Sequence, residues 1–388
     1  MNKKQLILLF FIFNLTSCNS GGSSEGSQTP NQPMKIAVSQ NNSGVCSNVN
    51  SPCVSLTICD TNNNNCSIVN NVLLDTGSYG LRIFNTVLNQ NTLNNLSSIT
   101  SGGNPVGECV SYGDGSQNWG NIVAANVQLS SDALASNVPI QIINSNFLTP
   151  PSACNNATTS PTDFGYNGVL GVGMYTKDGG NYYVCSGNNC NTTINLPSSS
   201  QVTNPISMLP SNNNGLTISF NQIGSNGASN VNGTVNFGVN TNSQNTIQAS
   251  NVYPADLSQG IPFFNSNYNG NSYLSFLDSG TNTLAISNSG ITQCSNPYTG
   301  FLCPSNSLNL TFNNYNSQGA SIPSNINIAN TISLINSGNS AYNNLGSILS
   351  FSGANLMDFG LPFFYGKNIQ IVFNNSTSNL GNGPFWAW

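Results

Sequence analysis

The chain has 388 residues, of which only 4% are charged, with six Lys or Arg against eleven Asp or Glu. So few cations leave no surface able to neutralise phosphates, which excludes nucleic acid as a partner. The chain has no histidine, which excludes His-based triads and His-ligated zinc and leaves acid–base work to carboxylates, lysine, tyrosine and cysteine.

Residues 1–18 read as an export signal. Lys3 and Lys4 precede an unbroken apolar run from Leu6 to Phe13, too short to span a bilayer as a helix but suited to a signal-peptide core. The run ends in Leu15-Thr16-Ser17-Cys18, which resembles the bacterial lipobox. That resemblance implies cleavage before Cys18, which is then lipidated and kept as the mature N-terminus. The alternative is an ordinary secretory signal with an incidental cysteine. Asn19 is similar to the outer-membrane sorting choice of Gram-negative lipoproteins, so the expected location is exported and lipid-anchored at the outer membrane. Residues 19–45, rich in Ser, Gly, Asn, Gln and Pro at their start, are expected to form a flexible tether.

Setting Cys18 aside leaves ten of the eleven cysteines, an even number that favours a disulfide framework in an exported chain. Spacing makes Cys185 with Cys190 and Cys294 with Cys303 plausible local pairs. Cys46, Cys53, Cys59 and Cys66 could in principle bind zinc, but gaps of about six residues are wider than typical knuckles.

Beyond the tether, strand signals dominate. Val72 to Leu74, Ile122 to Leu129, Val138 to Ile143, Leu216 to Phe220, Val231 to Phe237 and Ile369 to Phe373 are short apolar or alternating runs. They are separated by clusters of Gly, Asn, Ser and Pro. No long segment keeps a 3.6-residue apolar period, so an all-β fold is expected. An outer-membrane barrel ending in Phe385-Trp386-Ala387-Trp388 is the competing architecture. Lipid anchoring makes a spanning barrel redundant, and the terminal aromatics read as a last packed strand.

One repeat carries chemistry. Val72-Leu73-Leu74-Asp75-Thr76-Gly77-Ser78 recurs as Ser275-Phe276-Leu277-Asp278-Ser279-Gly280-Thr281, with the aspartates 203 positions apart. In each copy an apolar strand drives the aspartate inward, where a lone ionised carboxylate is costly. The adjacent glycine permits a tight turn that brings N–H groups close, and the flanking hydroxyls can satisfy the remaining lone pairs. If two such turns meet, their carboxyls repel and share a proton, so acid and base coexist in one site.

These motifs resemble the pepsin-like aspartic peptidases. Ser111-Tyr112-Gly113-Asp114-Gly115-Ser116 is similar to that family's flap. Phe164 to Gly171 and Asp358 to Phe364 are similar to the elements that thread beside each aspartate. Gly233 to Gly238 is similar to the strand that closes the first lobe. The resemblance implies a bilobal acid protease fold of two related β-barrel lobes with a cleft between them, here residues 46–243 and 244–388. It further implies an aspartic endopeptidase with Asp75 and Asp278 as the catalytic pair. Thr76, Gly77, Ser78, Ser279, Gly280 and Thr281 would support the dyad, and Tyr112, Gly113 and Asp114 would cover a peptide or protein substrate. No metal or organic cofactor is implied, and a monomer is expected.

Where that family often has a tryptophan, this chain has Arg82, its only arginine. Arg82 either pairs with Asp114 or Glu108, receives an acidic substrate group, or is simply a solvated or structurally paired arginine. Asn167 and Asp358 also depart from the pattern and read as tuning of local hydrogen bonds. Parts of the chain are similar to bacterial exported lipoproteins of unassigned function. A catalytically silent binding or inhibitor lipoprotein, a carboxylate-pair glycosidase and a purely structural surface lipoprotein are therefore the other readings.

Overall fold

The computed structural model describes residues 32–39, 44–242, 245–246, 249–258, 260–349 and 354–388. The signal segment 1–18, with Cys18, and most of the segment 19–45 lie outside them. The fold is all-β, 48% strand and 9% helix, with one closed six-stranded barrel and one half-barrel. Every sequence-predicted strand coincides with an observed one, from Cys66–Asp75 to Asn368–Val372, the last prediction overrunning its strand by Phe373 alone. Among the described residues no helix is long and apolar enough to cross a membrane.

The structure corrects the expectation of a tether through residue 45. Met34–Ser39 is a strand that pairs antiparallel with Asn230–Phe237. Alternation decides it: Met34, Ile36 and Val38 face the core while Lys35 and Ala37 face out. Three apolar positions among Asn, Gln and Ser are a weak signal, and tertiary pairing makes the strand.

Two triplets of strands frame the repeated tetrads. The first comprises β1 (Cys66–Asp75), β2 (Tyr79–Phe84) and β3 (Gly168–Val172). Strand β3 runs between the other two, parallel to β1 with Gly171 opposite Asp75, and antiparallel to β2 with Val169 opposite Arg82. The second comprises β4 (Asn271–Asp278), β5 (Leu284–Ile286) and β6 (Leu356–Gly360). Strand β6 runs parallel to β4 with Gly360 opposite Asp278, and antiparallel to β5 with Asp358 opposite Ala285. The same connectivity and register thus occur twice. Both threading strands need glycine at the crossing. A Cβ on Gly171 would stand 2.8 Å from Ser78 Oγ, and one on Gly360 would stand 2.1 Å from the Thr283 carbonyl oxygen.

The two triplets belong to different sheets. β1 to β3 lie in a 17-stranded sheet and β4 to β6 in a seven-stranded one. The larger sheet also takes strands from the end of the chain. Asn368–Val372 pairs with Gly215–Phe220, and Phe385–Ala387 pairs with Asn368–Val372 and Val252–Pro254. The final aromatics are buried there as a last strand, and Trp388 stacks on Tyr253 with ring centroids 3.9 Å apart.

Five disulfides staple the fold: Cys46–Cys53, Cys59–Cys66, Cys109–Cys154, Cys185–Cys190 and Cys294–Cys303. Both local pairs expected from spacing form, and the four cysteines weighed for zinc are consumed in two bridges. Five bridges are compatible with an exported protein. Loop-closure entropy ranks them, because Cys109–Cys154 spans 45 residues and Cys185–Cys190 only five. Replacing Cys109 and Cys154 together by alanine should cost about 4 kcal/mol, against about 2 kcal/mol for the Cys185 and Cys190 pair, in guanidinium unfolding. Equal losses would show that chain closure is not what these bridges contribute.

Candidate functional site

Each tetrad turns back on its own carboxylate in the same way. The Gly77 amide donates to Asp75 Oδ1 (2.8 Å) and the Ser78 hydroxyl to Asp75 Oδ2 (2.5 Å). The Gly280 amide donates to Asp278 Oδ1 (2.7 Å) and the Thr281 hydroxyl to Asp278 Oδ2 (2.9 Å). In both turns the second position reaches across to the other turn. Thr76 Oγ1 accepts from the Ser279 amide (2.9 Å) and donates to the Leu277 carbonyl (3.0 Å). Ser279 Oγ accepts from the Thr76 amide (3.1 Å) and donates to the Leu74 carbonyl (2.7 Å). Thr76 and Ser279 are buried, so these reciprocal bonds are shielded from competing water.

The exchange brings the two carboxyl groups face to face. A Cβ on Gly77 would lie 2.6 Å from Asp278 Cγ, and one on Gly280 would lie 2.6 Å from Asp75 Oδ1. Glycine at both places is what lets each turn pack against the opposite acid. Burial, and next the charge of Asp278, hold the Asp75 carboxyl well above its ordinary value of 3.8. Behind the second turn, Asn282 donates to the carbonyls of Val49 (2.5 Å) and Asn50 (3.3 Å). Asn50 returns a bond to the Asn282 carbonyl (2.7 Å).

Asp75 and Asp278 lie at the floor of a cleft of about 910 Å³. Tyr112, Gly113 and Asp114 line the same cleft from the tip of the hairpin joining Asn104–Ser111 to Gln117–Ser130. The tip is closed by bonds from the Tyr112 amide to the Ser116 carbonyl (2.9 Å) and from the Ser116 amide to Asp114 Oδ1 (2.9 Å). Tyr112 packs on Phe164 with ring centroids 5.7 Å apart, and its hydroxyl accepts from Asn118 (3.0 Å). Burial raises its phenol above the usual range.

Arg82 is 2% exposed and occupied by protein partners. It bonds Glu108 (2.9 Å), Asp178 (2.5 Å) and the Tyr79 carbonyl (2.6 Å). Of the two partners named from sequence, Glu108 is correct. Asp114 is not, because its carboxylate is turned into its own hairpin tip. Asp178 was missed, as was Tyr182, whose hydroxyl also binds Asp178. Gly180 allows the backbone to cover this group, since a Cβ there would sit 2.5 Å from Glu108 Oε1. Two carboxylates around one guanidinium leave an excess of negative charge. Burial, opposed by Arg82 and assisted by Asp178, raises Glu108 well above its ordinary 4.5. Arg82 therefore ties β2 to the hairpin that carries Tyr112 and to the loop holding Asp178.

Asn167 makes the local bond expected of it, donating to the Asn70 carbonyl (2.9 Å). Asp358 is a third buried carboxyl in the cleft, and burial followed by the charge of Asp278 raises it well above 3.8. The buried charges that were named from sequence had a signal there. Arg82, Glu108 and Asp358 each interrupt an apolar strand run, where an ionisable side chain must find partners or hold its neutral form. Nothing in the spacing points to Asp178.

Residues 27–388 match the family described as "Protein of unknown function (DUF3443)". The chain belongs to this family. No curated protein matches it. For this DUF3443 chain the geometry of the paired aspartates is therefore the starting point for function.

Two outcomes follow from these buried charges. Asp75, Glu108 and Asp358 are all raised, so the folded state holds protons that the unfolded chain has already released. Their contribution to stability is complete below about pH 4 and is lost as pH rises through the raised folded values. With no histidine to titrate in between, the guanidinium midpoint should fall steadily from about pH 4.5 to about pH 8. A flat or rising midpoint contradicts these assignments. Arg82→Met, which strands two buried carboxylates, should cost about 3–5 kcal/mol at neutral pH and less in acid. A loss below about 1 kcal/mol, the range of an exposed ion pair, would show the group to be solvated.

Proposed function

We propose that this protein is an aspartic endopeptidase of the pepsin-like, bilobal type. In this reading residues 46–243 and 244–388 supply one lobe each, and the cleft between them takes an extended peptide. The observation that carries the reading is the meeting of Asp75 and Asp278 through two turns that exchange hydrogen bonds across a local pseudo-twofold.

The chemistry follows from one proton held between two carboxyls. The ionised member takes a proton from a water poised between them, and that water attacks the carbonyl carbon of the peptide bond. The protonated member gives its proton to the carbonyl oxygen, so the tetrahedral diol forms without separating charge. Return of the proton to the amide nitrogen lets the C–N bond break and releases amine and acid. The pair titrates as a unit, giving an acid-shifted, bell-shaped rate profile. The amides of Gly77 and Gly280 and the hydroxyls of Ser78 and Thr281 fix the carboxyl planes. Tyr112 and the hairpin tip exclude bulk water from above, and the exposed backbone at the hairpin edge suits strand-like pairing with substrate.

The same reading places the protein outside the cytoplasm, tethered through lipidated Cys18 at the outer membrane. Five disulfides support export, and the lipobox-like sequence supports the anchor.

The test is hydrolysis of an unfolded protein between about pH 3 and pH 6, blocked by a statine-type inhibitor. Asp75→Ala and Asp278→Ala should each lower kcat/KM by about 10²–10⁴-fold without loss of fold. Binding of unfolded protein with no cleavage at any pH would replace the peptidase by the silent binding protein. Sugar release insensitive to the inhibitor would replace it by a glycosidase.

A further inference from the structure

The seven-stranded sheet presents one row of side chains to the cleft, with a carboxyl inside it. Phe276 on β4, Asp358 on β6, Ala285 on β5 and Ser347 on the neighbouring strand Gly346–Ile348 are register partners in that spatial order. Side chains alternate along β6, so Met357 and Phe359 enter the core while Asp358 takes the opposite face. All four members of the row line the cleft, and Phe301, which bridges to Ser347, extends the lining. Asp278 follows Phe276 by two residues and so shares its face of β4, which starts the row beside the paired aspartates.

Within this row the polar group left over is Asp358. Ser347 is bonded hydroxyl to hydroxyl with Thr283 (2.6 Å), and Phe276 packs edge-on against Phe263 with ring centroids 5.6 Å apart. Asp358 is 4% exposed, and its Oδ1 is buried without a hydrogen bond. Such an oxygen is costly unless a ligand supplies a donor. Among the described residues no cation of the protein does so. Arg82 is held by Glu108 and Asp178, and Lys177 by Thr203; Lys367 lies over the Phe363 ring, and Lys35 faces outward on its strand. The titratable groups whose charges reach Asp358 are Asp278 on β4 and Asp75 on β1, both acids, while β5 and Gly346–Ile348 bring none. The cleft as a whole has the same sign. Asp75, Glu108, Asp114, Asp178, Asp278 and Asp358 line it, six of the chain's eleven acidic residues, and Arg82 is the one cation among the described lining residues. The matched position of the first triplet, two before Gly171, is Val169, so the extra acid marks one side of the cleft only.

We propose that Asp358 is the base of a subsite for a basic side chain, lysine or arginine, next to the scissile bond on the side of the seven-stranded sheet. The inference rests on the peptidase reading, whose substrate class it narrows. The stem of the basic residue lies along Phe276 and Ala285, which bury its methylenes. Its charged head meets Asp358 and supplies the donor that Oδ1 lacks. In the empty cleft, burial and the neighbouring acids keep a proton on Asp358, and an arriving cation sends that proton to solvent. Binding of a basic residue therefore releases a proton, so the preference for it grows as pH rises.

The experiment uses peptide pairs that carry lysine or norleucine at each position around a cleavage site in turn, with wild type, Asp358→Asn and Asp358→Val. Norleucine keeps the methylenes and removes the charge. Wild type should favour lysine in kcat/KM by about tenfold at about pH 6 and about twofold at about pH 4, at one position only. Asparagine should bring that ratio to about one, and valine, the side chain of the matched position 169, should favour norleucine there. A merely structural role for Asp358 would slow both peptides together and leave the ratio at its wild-type value, which overturns the proposal. So does a lysine preference spread over every position, the mark of the whole cleft's field rather than of a subsite. A second measurement needs no turnover. Calorimetric titration of statine-containing versions of the peptides, in buffers of different ionisation enthalpy, should show more proton release with lysine than with norleucine. Asp358→Asn should abolish that surplus. If wild type cleaves nothing yet shows the surplus, the peptidase reading fails and the subsite stands. If lysine brings neither preference nor surplus release, the subsite fails whatever the activity.

Discussion

Two like charges cannot be held together by their own chemistry, and the site exists because something else forces the approach. That constraint is the reciprocal bonding of Thr76 and Ser279. Each hydroxyl accepts from the opposite amide and donates to the carbonyl just before the opposite aspartate, so neither turn is satisfied without the other. The four bonds are buried, 2.7–3.1 Å long, and satisfy backbone groups at the ends of β1 and β4. The repulsion between Asp75 and Asp278 is thereby converted into a raised proton affinity rather than into separation of the turns.

Around this centre the fold supplies two versions of one frame with different electrostatics. Threading glycines at 171 and 360 let a strand pass against the turn, a clearance no side chain could share. The positions beside them diverge. The first frame buries a guanidinium with two carboxylates and so fixes the hairpin carrying Tyr112. The second buries a carboxyl with no cation at all. Acid conditions relieve the excess negative charge in both frames, because the raised carboxyls of Asp75, Glu108 and Asp358 become neutral as protons are added.

Much of this was legible in the sequence, for physical reasons. The tetrads could be read because an apolar strand followed by Asp-Ser/Thr-Gly-Ser/Thr imposes a turn on whatever chain carries it. The strand set could be read from short alternating runs between turn formers, and the local disulfides from spacing. What stayed hidden depends on pairing over distance. Met34–Ser39 becomes a strand only because Asn230–Phe237 is there to receive it, and Asp178 becomes an ion-pair partner only once the sheet has placed Arg82 beside it. The asparagines conceal a further role. Of the eleven non-glycine residues with positive φ among the described residues, nine are asparagine, among them Asn50, which is fully buried and bonded to Asn282 behind the second turn. In a chain with few charges, asparagine amides perform the turn-making and cross-linking that Asp, Lys and Arg share in most proteins.

The way the larger sheet recruits Asn368–Val372 and Phe385–Ala387 has a consequence for biosynthesis. Met34–Ser39, made early, touches Cys53–Cys59 at Ala37 but takes its full-length partner from Asn230–Phe237, and the row continues through Gly215–Phe220 to Asn368–Val372 and Phe385–Ala387. The sheet therefore keeps an unfinished edge until the segment carrying Asn368–Val372 and Phe385–Ala387 is available to pair. Closure is a late, long-range event, and the disulfides that link nearby cysteines can form well before it.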